Sequence, residues 1–318
     1  MAPINPAFLT LRQAVRPFIN ESKSVILLGV SGGSDSMSLA AAVLKECNNK
    51  RAIPVVVDHG LQKGSAETAN IVRERLMHLG FTEVFVARAN VEMKDGLEAS
   101  ARRARYKVFE MAIETYGADT FLLAHNKNDQ AEGVLLGLAR GSGTKSLSGM
   151  REKNGIYVRP FLNISKEIIL QACTELGMDF WSDPHNENLE FTRVRVRQNV
   201  IPHIESEIGP GIVDALSRSA RILGEDAQAL DEWAERIISL QGLNNLEIEK
   251  LLELPKAVRA RVLRRAIYAA GAPNGSLTAE HLEPVEALVT AWKGQGECSL
   301  PGGVKVLRIS GRISLSNR

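Results

Sequence analysis

A turn rich in glycine and serine follows the first apolar run of the chain, and its residue types suit the binding of phosphate. Residues 31–36 read Ser-Gly-Gly-Ser-Asp-Ser, directly before an Ala/Leu-rich helical pattern. Adjacent glycines let the backbone approach an anion, and the N–H groups at a helix start point at it. Asp35 is repelled by a polyphosphate unless a cation such as Mg²⁺ lies between them. The turn therefore predicts a phosphate site, with an ordinary serine-capped turn as the alternative.

Acidic and histidine side chains follow two further apolar runs. Asp58 and His59 end one of them, where they suit contact with an adenosine or a metal, or the capping of a turn. His125, Asp129 and Glu132 follow the other. Asp129 and Glu132 are three residues apart at a predicted helix start, so they suit either a capping box or the binding of a cationic amine. From the residues alone both interpretations stay open.

Two arginines are placed where they could meet phosphate. Arg105 lies at the border of the apolar stripe of the helix predicted over residues 97–116. From there its stem can be buried while the guanidinium points into a cleft. Arg140 opens a basic, glycine-containing turn at residues 140–143, which either closes over phosphates or ends a helix.

A cluster of three arginines alternates with valines within residues 191–197. As a strand this segment would have one basic face, and as a helix it would have a distributed basic surface. We predict contacts to an RNA backbone for Arg193, Arg195 and Arg197, with surface decoration as the alternative. The net charge of +2 gives no support from bulk charge, so RNA binding has to come from such local clusters.

Short apolar runs and helical patterns alternate through the first 160 residues. The predicted strands are residues 25–29, 53–58, 83–87, 120–124 and 156–159. The predicted helices between them are residues 37–46, 66–79, 97–116 and 129–139. Apolar strands that alternate with helices form a parallel sheet covered on both faces. We therefore predict an α/β fold with a doubly wound, parallel five-stranded sheet, whose ligands bind at the carboxyl ends of the strands.

The sequence changes character near residues 209–211. Helices are predicted at residues 214–240, 246–252, 256–270 and 278–292, and a β-hairpin at residues 304–309 and 312–315. The chain is thus expected to have a catalytic domain at residues 1–212 and a smaller, mainly helical domain at residues 213–318 that ends in the hairpin. A basic cluster lies on one of these helices and consists of Arg259, Arg261, Arg264 and Arg265.

The composition is typical of a soluble cytoplasmic enzyme. The chain has 318 residues, 44% of them hydrophobic, with no apolar run long enough to span a bilayer and no signal-peptide pattern. Three cysteines lie far apart, which excludes a disulfide framework and a CxxC metal or redox pair. The oligomeric state stays open, with a homodimer as one alternative.

In order and spacing, the motifs resemble those of the tRNA(Ile)-lysidine synthetases, a family of N-type ATP pyrophosphatases. The resemblance covers about residues 25–202. It rests on these segments: Ser31–Ser36, Asp58-His59-Gly60, Ala101-Arg102-x-x-Arg105-Tyr106, His125-x-x-x-Asp129-Gln130-Ala131-Glu132, Arg140-Gly141-Ser142-Gly143, Arg159-Pro160, Asp183-Pro184-x-Asn186 and Phe191–Arg197. The chain departs from the family at Asn128, Gly133 and Val194. The first two of these departures concern the shape of the amine pocket.

The resemblance implies an adenine nucleotide α-hydrolase-like fold and an enzyme that uses ATP and Mg²⁺ to join L-lysine to C2 of the wobble cytidine of tRNA(Ile) with a CAU anticodon. It implies catalytic roles for Asp35, Arg105, His125, Asp129 and Glu132. ATP would be bound by Ser31, Gly32, Gly33, Ser34, Asp35, Ser36, Asp58, His59 and Arg105, with Asp35 placing Mg²⁺. Lysine would be bound by Asp129 and Glu132, and tRNA by Arg140, Arg193, Arg195, Arg197 and the C-terminal domain.

Three alternatives remain at this point. One is a related pyrophosphatase that thiolates tRNA, although the isolated cysteines argue against it. Another is an amide-forming ligase of the same class. The last is a nucleotide-binding regulator without chemistry, which leaves the acids and arginines unexplained.

Overall fold

A computed structural model of the chain describes residues 5–60, 64–92, 96–181, 187–243 and 245–317. The chain forms two compact units, residues 1–222 and 223–318. Asp183, Pro184 and Asn186, which carry one of the family motifs, lie outside the described residues. Among the described residues, no helix is both long and apolar enough to cross a membrane.

The first unit is built on a six-stranded sheet. Its strands are β1 (Ile26–Gly29), β2 (Ala52–Asp58), β3 (Phe85–Arg88), β4 (Thr120–Leu122), β5 (Lys153–Asn154) and β6 (Tyr157–Val158). They are arranged in the order β3-β2-β1-β4-β6-β5, and only β5 runs antiparallel to its neighbour. The prediction of a parallel, doubly wound sheet is confirmed. The count of five strands was wrong, because β5 is a two-residue edge strand without an apolar pattern.

Helices connect and cover these strands. Their bounds are α1 (Pro6–Glu21), α2 (Ser34–Glu46), α3 (Ser65–Leu79), α4 (Leu97–Tyr116), α5 (Lys127–Ala139), α6 (Thr144–Leu147), α7 (Lys166–Glu175), α8 (Thr192–Arg195), α9 (Ile201–Ile208) and α10 (Ile212–Gln241). A π-helical segment, Val196–Val200, joins α8 to α9. Residues 191–197 therefore belong to helical structure and do not form a strand.

Each face of the sheet has its own apolar core. Ile26 and Leu28 of β1 point into a core formed with α1, α2, α3 and α7, whereas Leu27 points into a second core with α4. Successive residues of a strand alternate between faces, so a strand buried on both sides has to be apolar throughout. This explains why the central strands could be identified from their sequence.

The strand order changes direction between β1 and β4. From β1 the chain adds β2 and then β3 on one side, and it crosses back to β4 on the other. The loops after β1 and β4 consequently diverge and leave a crevice at the carboxyl ends of these strands, where ligands of such sheets bind.

The second unit contains α11 (Ile248–Leu252), α12 (Lys256–Ala269), α13 (Ala279–Thr290) and the C-terminal part of α10. Its strands are β7 (Asn245–Glu247), β8 (Cys298–Ser299), β9 (Val304–Ile309) and β10 (Arg312–Asn317), in the order β7-β10-β9-β8. The β9–β10 hairpin was predicted. Its extension to a four-stranded antiparallel sheet was not, because β7 and β8 are too short to show a pattern.

Candidate active site

A cleft of about 710 Å³ opens at the carboxyl ends of β1, β2 and β4. One wall is apolar and includes Val72, Tyr106, Phe109 and Leu123. Polar groups from the predicted site residues face it, among them Ser31, Gly33, Ser34, Asp35, Ser36, Asp58, His59, Arg105, His125 and Asp129. Residues that are far apart in the sequence thus share one cavity, which suits a ligand with both an aromatic base and phosphates.

The phosphate loop between β1 and α2 is shaped by its glycines. Gly32 has a φ of +90°, and a Cβ there would lie 2.5 Å from a methyl carbon of Val72. Only glycine fits this position. Gly33 is the N-cap of α2, so the free N–H groups of that helix start in the loop. The Ser31 N–H donates to the Ser36 hydroxyl at 3.2 Å, and that hydroxyl donates to the Gly33 carbonyl at 3.0 Å.

Asp35 is held by a lysine that the sequence did not reveal as a site residue. The Lys166 ammonium donates to Asp35 Oδ1 at 2.7 Å, to Asp35 Oδ2 at 2.8 Å and to the Ser34 hydroxyl at 2.8 Å. Burial raises the pKa of Asp35 above its usual value, and the neighbouring Asp129 carboxylate adds to this, while Lys166 and Arg197 oppose it. The acid in the phosphate loop therefore already has a cationic partner.

Asp58 and His59 lie beside the phosphate loop. The Gly60 N–H donates to Asp58 Oδ1 at 2.9 Å. Burial opposes ionisation of Asp58, but the hydrogen bonds from Ser65 and Gly60 prevail and lower its pKa. Asp58 thus caps the turn after β2 and also lines the cleft, so the two interpretations of this residue are compatible.

The capping box at the start of α5 shares only Asp129 with the predicted one. The helix begins at Lys127 with Asn126 as its N-cap. The Asn126 side chain accepts from the Asp129 N–H at 3.1 Å, and Asp129 Oδ2 accepts from the Asn126 N–H at 2.9 Å. Glu132 takes no part in this box. Capping therefore accounts for one oxygen of Asp129 and leaves Glu132 unexplained.

Glu132 is a fully buried carboxylate shared by two arginines. Its side chain has a relative exposure of 0%. Arg193 Nε donates to Glu132 Oε2 at 2.7 Å, and Arg197 donates through Nε to Oε1 at 2.6 Å and through Nη2 to Oε2 at 3.2 Å. Asp129 Oδ1 lies 3.4 Å from Arg193 Nη2 and 3.6 Å from Arg197 Nη2. The acid pair predicted to bind an amine is thus occupied by two guanidinium groups.

His125 lies in the cleft near several cations. Burial lowers its pKa to about 3, and the charges of Arg159, Arg193, Arg102 and Arg105 contribute. Its imidazole is consequently neutral at physiological pH. Among the described residues its buried Nδ1 has no hydrogen-bond partner.

Arg105 and Arg102 both line the cleft from α4. The Arg102 guanidinium stacks over the Tyr106 ring at 5.1 Å from its centroid. The orientation predicted for Arg105, toward the cleft, agrees with its place in the lining. Both arginines are largely exposed, which suits contact with a substrate that arrives from solvent.

Among the arginines predicted to bind RNA, Arg197 lines this cleft, whereas Arg193, Arg195 and Arg140 are not part of its lining. Arg195 donates to the carbonyls of Leu189 and Glu190 at 2.7 and 2.9 Å, and Arg140 is an exposed residue at the end of α5. In the second unit, Arg259, Arg261 and Arg265 form ion pairs with Glu286, Asp231 and Glu235 respectively.

One sequence signal could have led to Lys166. Ser165-Lys166-Glu167 precedes the apolar pair Ile168-Ile169, which is a recognisable helix start. That pattern predicts α7, with Ser165 as its observed N-cap. It does not reveal that the lysine reaches a loop 131 residues away in the chain.

Comparisons with known proteins identify the family of this chain. Residues 8–204 match the PP-loop domain family, and residues 246–313 match the TilS substrate binding domain family. A tRNA(Ile)-lysidine synthase from Thermobifida fusca is 43% identical over 317 residues, which cover 98% of either chain. This chain belongs to the tRNA(Ile)-lysidine synthase family. The resemblance inferred from the motifs is confirmed.

Another tRNA(Ile)-lysidine synthase, from Streptomyces coelicolor, is 45% identical over 296 residues, covering 91% of this chain and 84% of its own length. Among solved structures, a U34-tRNA thiolase from Methanococcus maripaludis superposes with a TM-score of 0.56. It covers 69% of this chain and 78% of its own at 15% identity, so it supports the fold alone. The lysidine synthase family thus shares its α/β fold with an enzyme of different chemistry.

Proposed function

We propose that this chain ligates L-lysine to C2 of the anticodon wobble cytidine of tRNA(Ile) with a CAU anticodon, converting ATP to AMP and pyrophosphate and forming lysidine. The observation that carries the proposal is that two unlike groups of side chains line one cleft. Asp35 and the serines of the phosphate loop follow β1, and His125 and Asp129 follow β4, while Glu132 is buried behind Arg193 and Arg197. Membership of the tRNA(Ile)-lysidine synthase family supports the same substrates.

In the first half-reaction the C2 oxygen of cytidine attacks the α-phosphorus of ATP. The bond to the bridging oxygen of the β-phosphate breaks, and pyrophosphate departs. The N–H groups at the start of α2 and the loop hydroxyls suit the phosphates, and Arg105 can neutralise charge from the opposite wall. The rings of Tyr106 and Phe109 offer the adenine an apolar surface.

The residues present fit a magnesium ion. Asp35 offers carboxylate oxygens beside a loop that suits phosphates, and Mg²⁺ commonly binds one or two carboxylates together with substrate phosphates. Such an ion would neutralise phosphate charge next to Asp35. Among the described residues no cluster of three or more His, Cys, Asp or Glu side chains could hold a metal.

In the second half-reaction the ε-amine of lysine attacks C2, and the bond from C2 to the oxygen of AMP breaks. The ammonium has to lose a proton first, because the protonated amine has no free electron pair. Asp129 faces the cleft and is the accessible carboxylate for the ammonium, whereas Glu132 lies behind two arginines. Neutral His125 lines the same cleft, where its imidazole can contact the reacting groups.

A thiolation activity finds no support in the cysteines. Cys47 and Cys173 are buried, and burial raises the pKa of each thiol to about 11. Cys298 belongs to the second unit. A thiol with a raised pKa supplies little thiolate nucleophile.

For the second unit, the match to a substrate-binding family over residues 246–313 supports docking of tRNA.

The test is the release of AMP from ATP with each substrate omitted in turn. We expect release that requires both tRNA(Ile) with the CAU anticodon and lysine, and its loss in Asp35→Ala. AMP release that continues without lysine, or with ammonia in its place, would indicate another ligase. Melting curves of Asp35→Ala provide the control for folding.

A further inference from the structure

The helix α7 packs directly against the phosphate loop. Ile169, Ala172 and Cys173 of this helix are buried in the core. The Cys173 thiol lies 3.7 Å from the Ser34 carbonyl, and Lys166 reaches Ser34 and Asp35 from the first turn. The helix thus contacts the loop at two points.

Hydrogen bonds to residues at the start of α5 hold the backbone near Lys166 in place. Its N–H donates to the side-chain oxygen of Asn128 at 3.0 Å, and the Lys127 N–H donates to the Ile164 carbonyl at 2.9 Å. These bonds tie the start of α7 to the start of α5, which carries Asp129. The ammonium of Lys166 is therefore placed by the fold and is unlike a mobile surface lysine.

The negative charges of Asp35 and Asp129 explain why a cation is needed beside the phosphate loop. Asp35 lies in a loop suited to a polyanion, and the Asp129 carboxylate is close enough to raise its pKa. An ammonium group has three donors, and Lys166 directs them to two carboxylate oxygens and one loop hydroxyl. Its side chain keeps a relative exposure of 32% and lines the cleft, so it is accessible to a bound nucleotide.

We propose that Lys166 is a further substrate-positioning residue, which holds Asp35 in the free protein and binds the β- and γ-phosphates of ATP in the complex. This inference rests on the proposed use of ATP. It explains how the loop keeps an acid without repelling the nucleotide, since one ammonium serves the carboxylate and the phosphates. The same contact would hold the pyrophosphate that leaves.

The experiment compares Lys166→Met with Lys166→Arg and with the control Lys153→Met. Lys153 forms an exposed ion pair with Glu21 at 2.8 Å outside this cleft. Calorimetry measures the binding of magnesium ATP and of AMP to the full chain without tRNA or lysine. Since a charge-assisted hydrogen bond is worth about 10- to 100-fold in affinity, Lys166→Met should weaken ATP binding by about that factor. AMP binding, which involves no β- or γ-phosphate, should stay unchanged, and Lys166→Arg should recover most of the ATP affinity.

Equal losses for ATP and AMP, or unchanged ATP binding, would overturn the proposal. A second measurement uses the unmodified chain and therefore does not depend on folding of a variant. Amine acylation followed by peptide mass spectrometry should show Lys166 protected by magnesium ATP but not by AMP, with Lys153 labelled equally in both. Equal labelling of Lys166 with both nucleotides would contradict it. Because neither readout requires lysidine, failure of the proposed reaction would leave this result intact.

Discussion

Two groups of arginines, one in each unit, look alike in the sequence but make different contacts. In the first unit, Arg193 and Arg197 converge on one fully buried carboxylate, Glu132. In the second unit, three arginines of α12 each pair with a different acid: Arg259 with Glu286, Arg261 with Asp231, and Arg265 with Glu235. Contacts to RNA phosphates were predicted for the first group, whereas for the second unit the family resemblance implied only that the domain binds tRNA.

The two groups differ in the position of their acid partners, which lie in or beside the cleft in the first unit and between helices in the second. Asp129 lines the cleft beside these arginines, so in the proposed site the lysine ammonium would compete with a guanidinium for Asp129, while Glu132 holds both arginines in place. The pairs of the second unit connect α12 to α10 and α13, and they stabilise the packing of helices. The acid partners, rather than the density of arginine, therefore distinguish the proposed ligand site from a structural contact.

The largest effect should come from the acids of the first unit. Asp129→Asn and Glu132→Gln keep the shape of each side chain and remove its charge. If Asp129 binds the lysine ammonium and Glu132 positions Arg193 and Arg197 beside it, kcat/KM for lysine should fall by about 100-fold in either variant, because a buried charge loses its partner. Adenylation of tRNA, measured with ATP labelled at the α-phosphate, should be affected less.

A capping role alone predicts a different result. Loss of a helix cap costs about 1 kcal/mol of stability and leaves lysine usage as it was. Unchanged KM for lysine in Asp129→Asn would therefore assign Asp129 to the helix cap, and unchanged KM in Glu132→Gln would assign Glu132 to the structural fixation of Arg193 and Arg197. Both groups of arginines would then be structural.

A substitution in the second unit should affect stability rather than chemistry. Arg259 is 8% exposed and also donates to the carbonyls of Leu251 and Leu254 at 3.3 and 2.9 Å. Arg259→Ala leaves Glu286 and two carbonyls without their donor, so the free energy of unfolding should fall by about 3 kcal/mol. Urea unfolding followed by tryptophan fluorescence measures it, since Trp233 and Trp292 lie in this unit.

Arg264→Ala on the same helix is the matched control and should change stability much less, because Arg264 is only partly buried. If the two variants lose equal stability, the buried contacts of Arg259 are not what stabilises the unit.

A smaller effect should distinguish the two groups in RNA binding. Arg195 donates to backbone carbonyls, whereas Arg261 is paired with Asp231 at 2.9 Å. Arg195→Gln should flatten the salt dependence of tRNA binding by about one unit of slope, the value for one lost phosphate contact. Arg261→Gln should leave the slope unchanged. The opposite pattern would place the RNA contact on the second unit.

The smallest effect concerns the pH dependence of stability. The pKa of His125 is about 3 in the folded chain and has an ordinary value of 6.5. As the pH falls below 6.5 the unfolded chain takes up the proton first, so stability present above that pH is progressively lost. His125→Asn should therefore reduce the fall in melting temperature between pH 6.5 and 4. If the melting temperature of variant and parent falls equally between pH 6.5 and 4, His125 is not kept neutral by its surroundings.

Much of the fold was predictable because the strands buried in the sheet are apolar runs that are visible in the sequence. The apolar strands β1, β2 and β4 are central in the sheet, and the phosphate loop has a glycine that its φ and its neighbour Val72 require. The helices α1 and α7 were not predicted, although α7 places Lys166 in the cleft.

The partners of charged side chains could not be predicted, because they depend on tertiary contacts. Arg193 and Arg197 meet Glu132 across 61 and 65 residues, and Arg259 meets Glu286 across 27. Periodicity shows which face of a helix is polar, but it does not show which acid lies opposite. The predicted capping box of Asp129 and Glu132 is not formed, because the helix begins at Lys127, two residues before the predicted start, and Asn126 is its N-cap.

The proposed reaction leaves lysine covalently attached to a cytidine of tRNA. It can be detected by mass spectrometry of nucleosides from tRNA(Ile) with the CAU anticodon, after incubation with the chain, ATP and lysine. We expect the wobble cytidine to be replaced by lysidine, carrying the label of isotopically marked lysine, and Asp35→Ala to give none. Consumption of ATP with an unmodified wobble cytidine, or with a product that lacks the lysine label, would contradict the account.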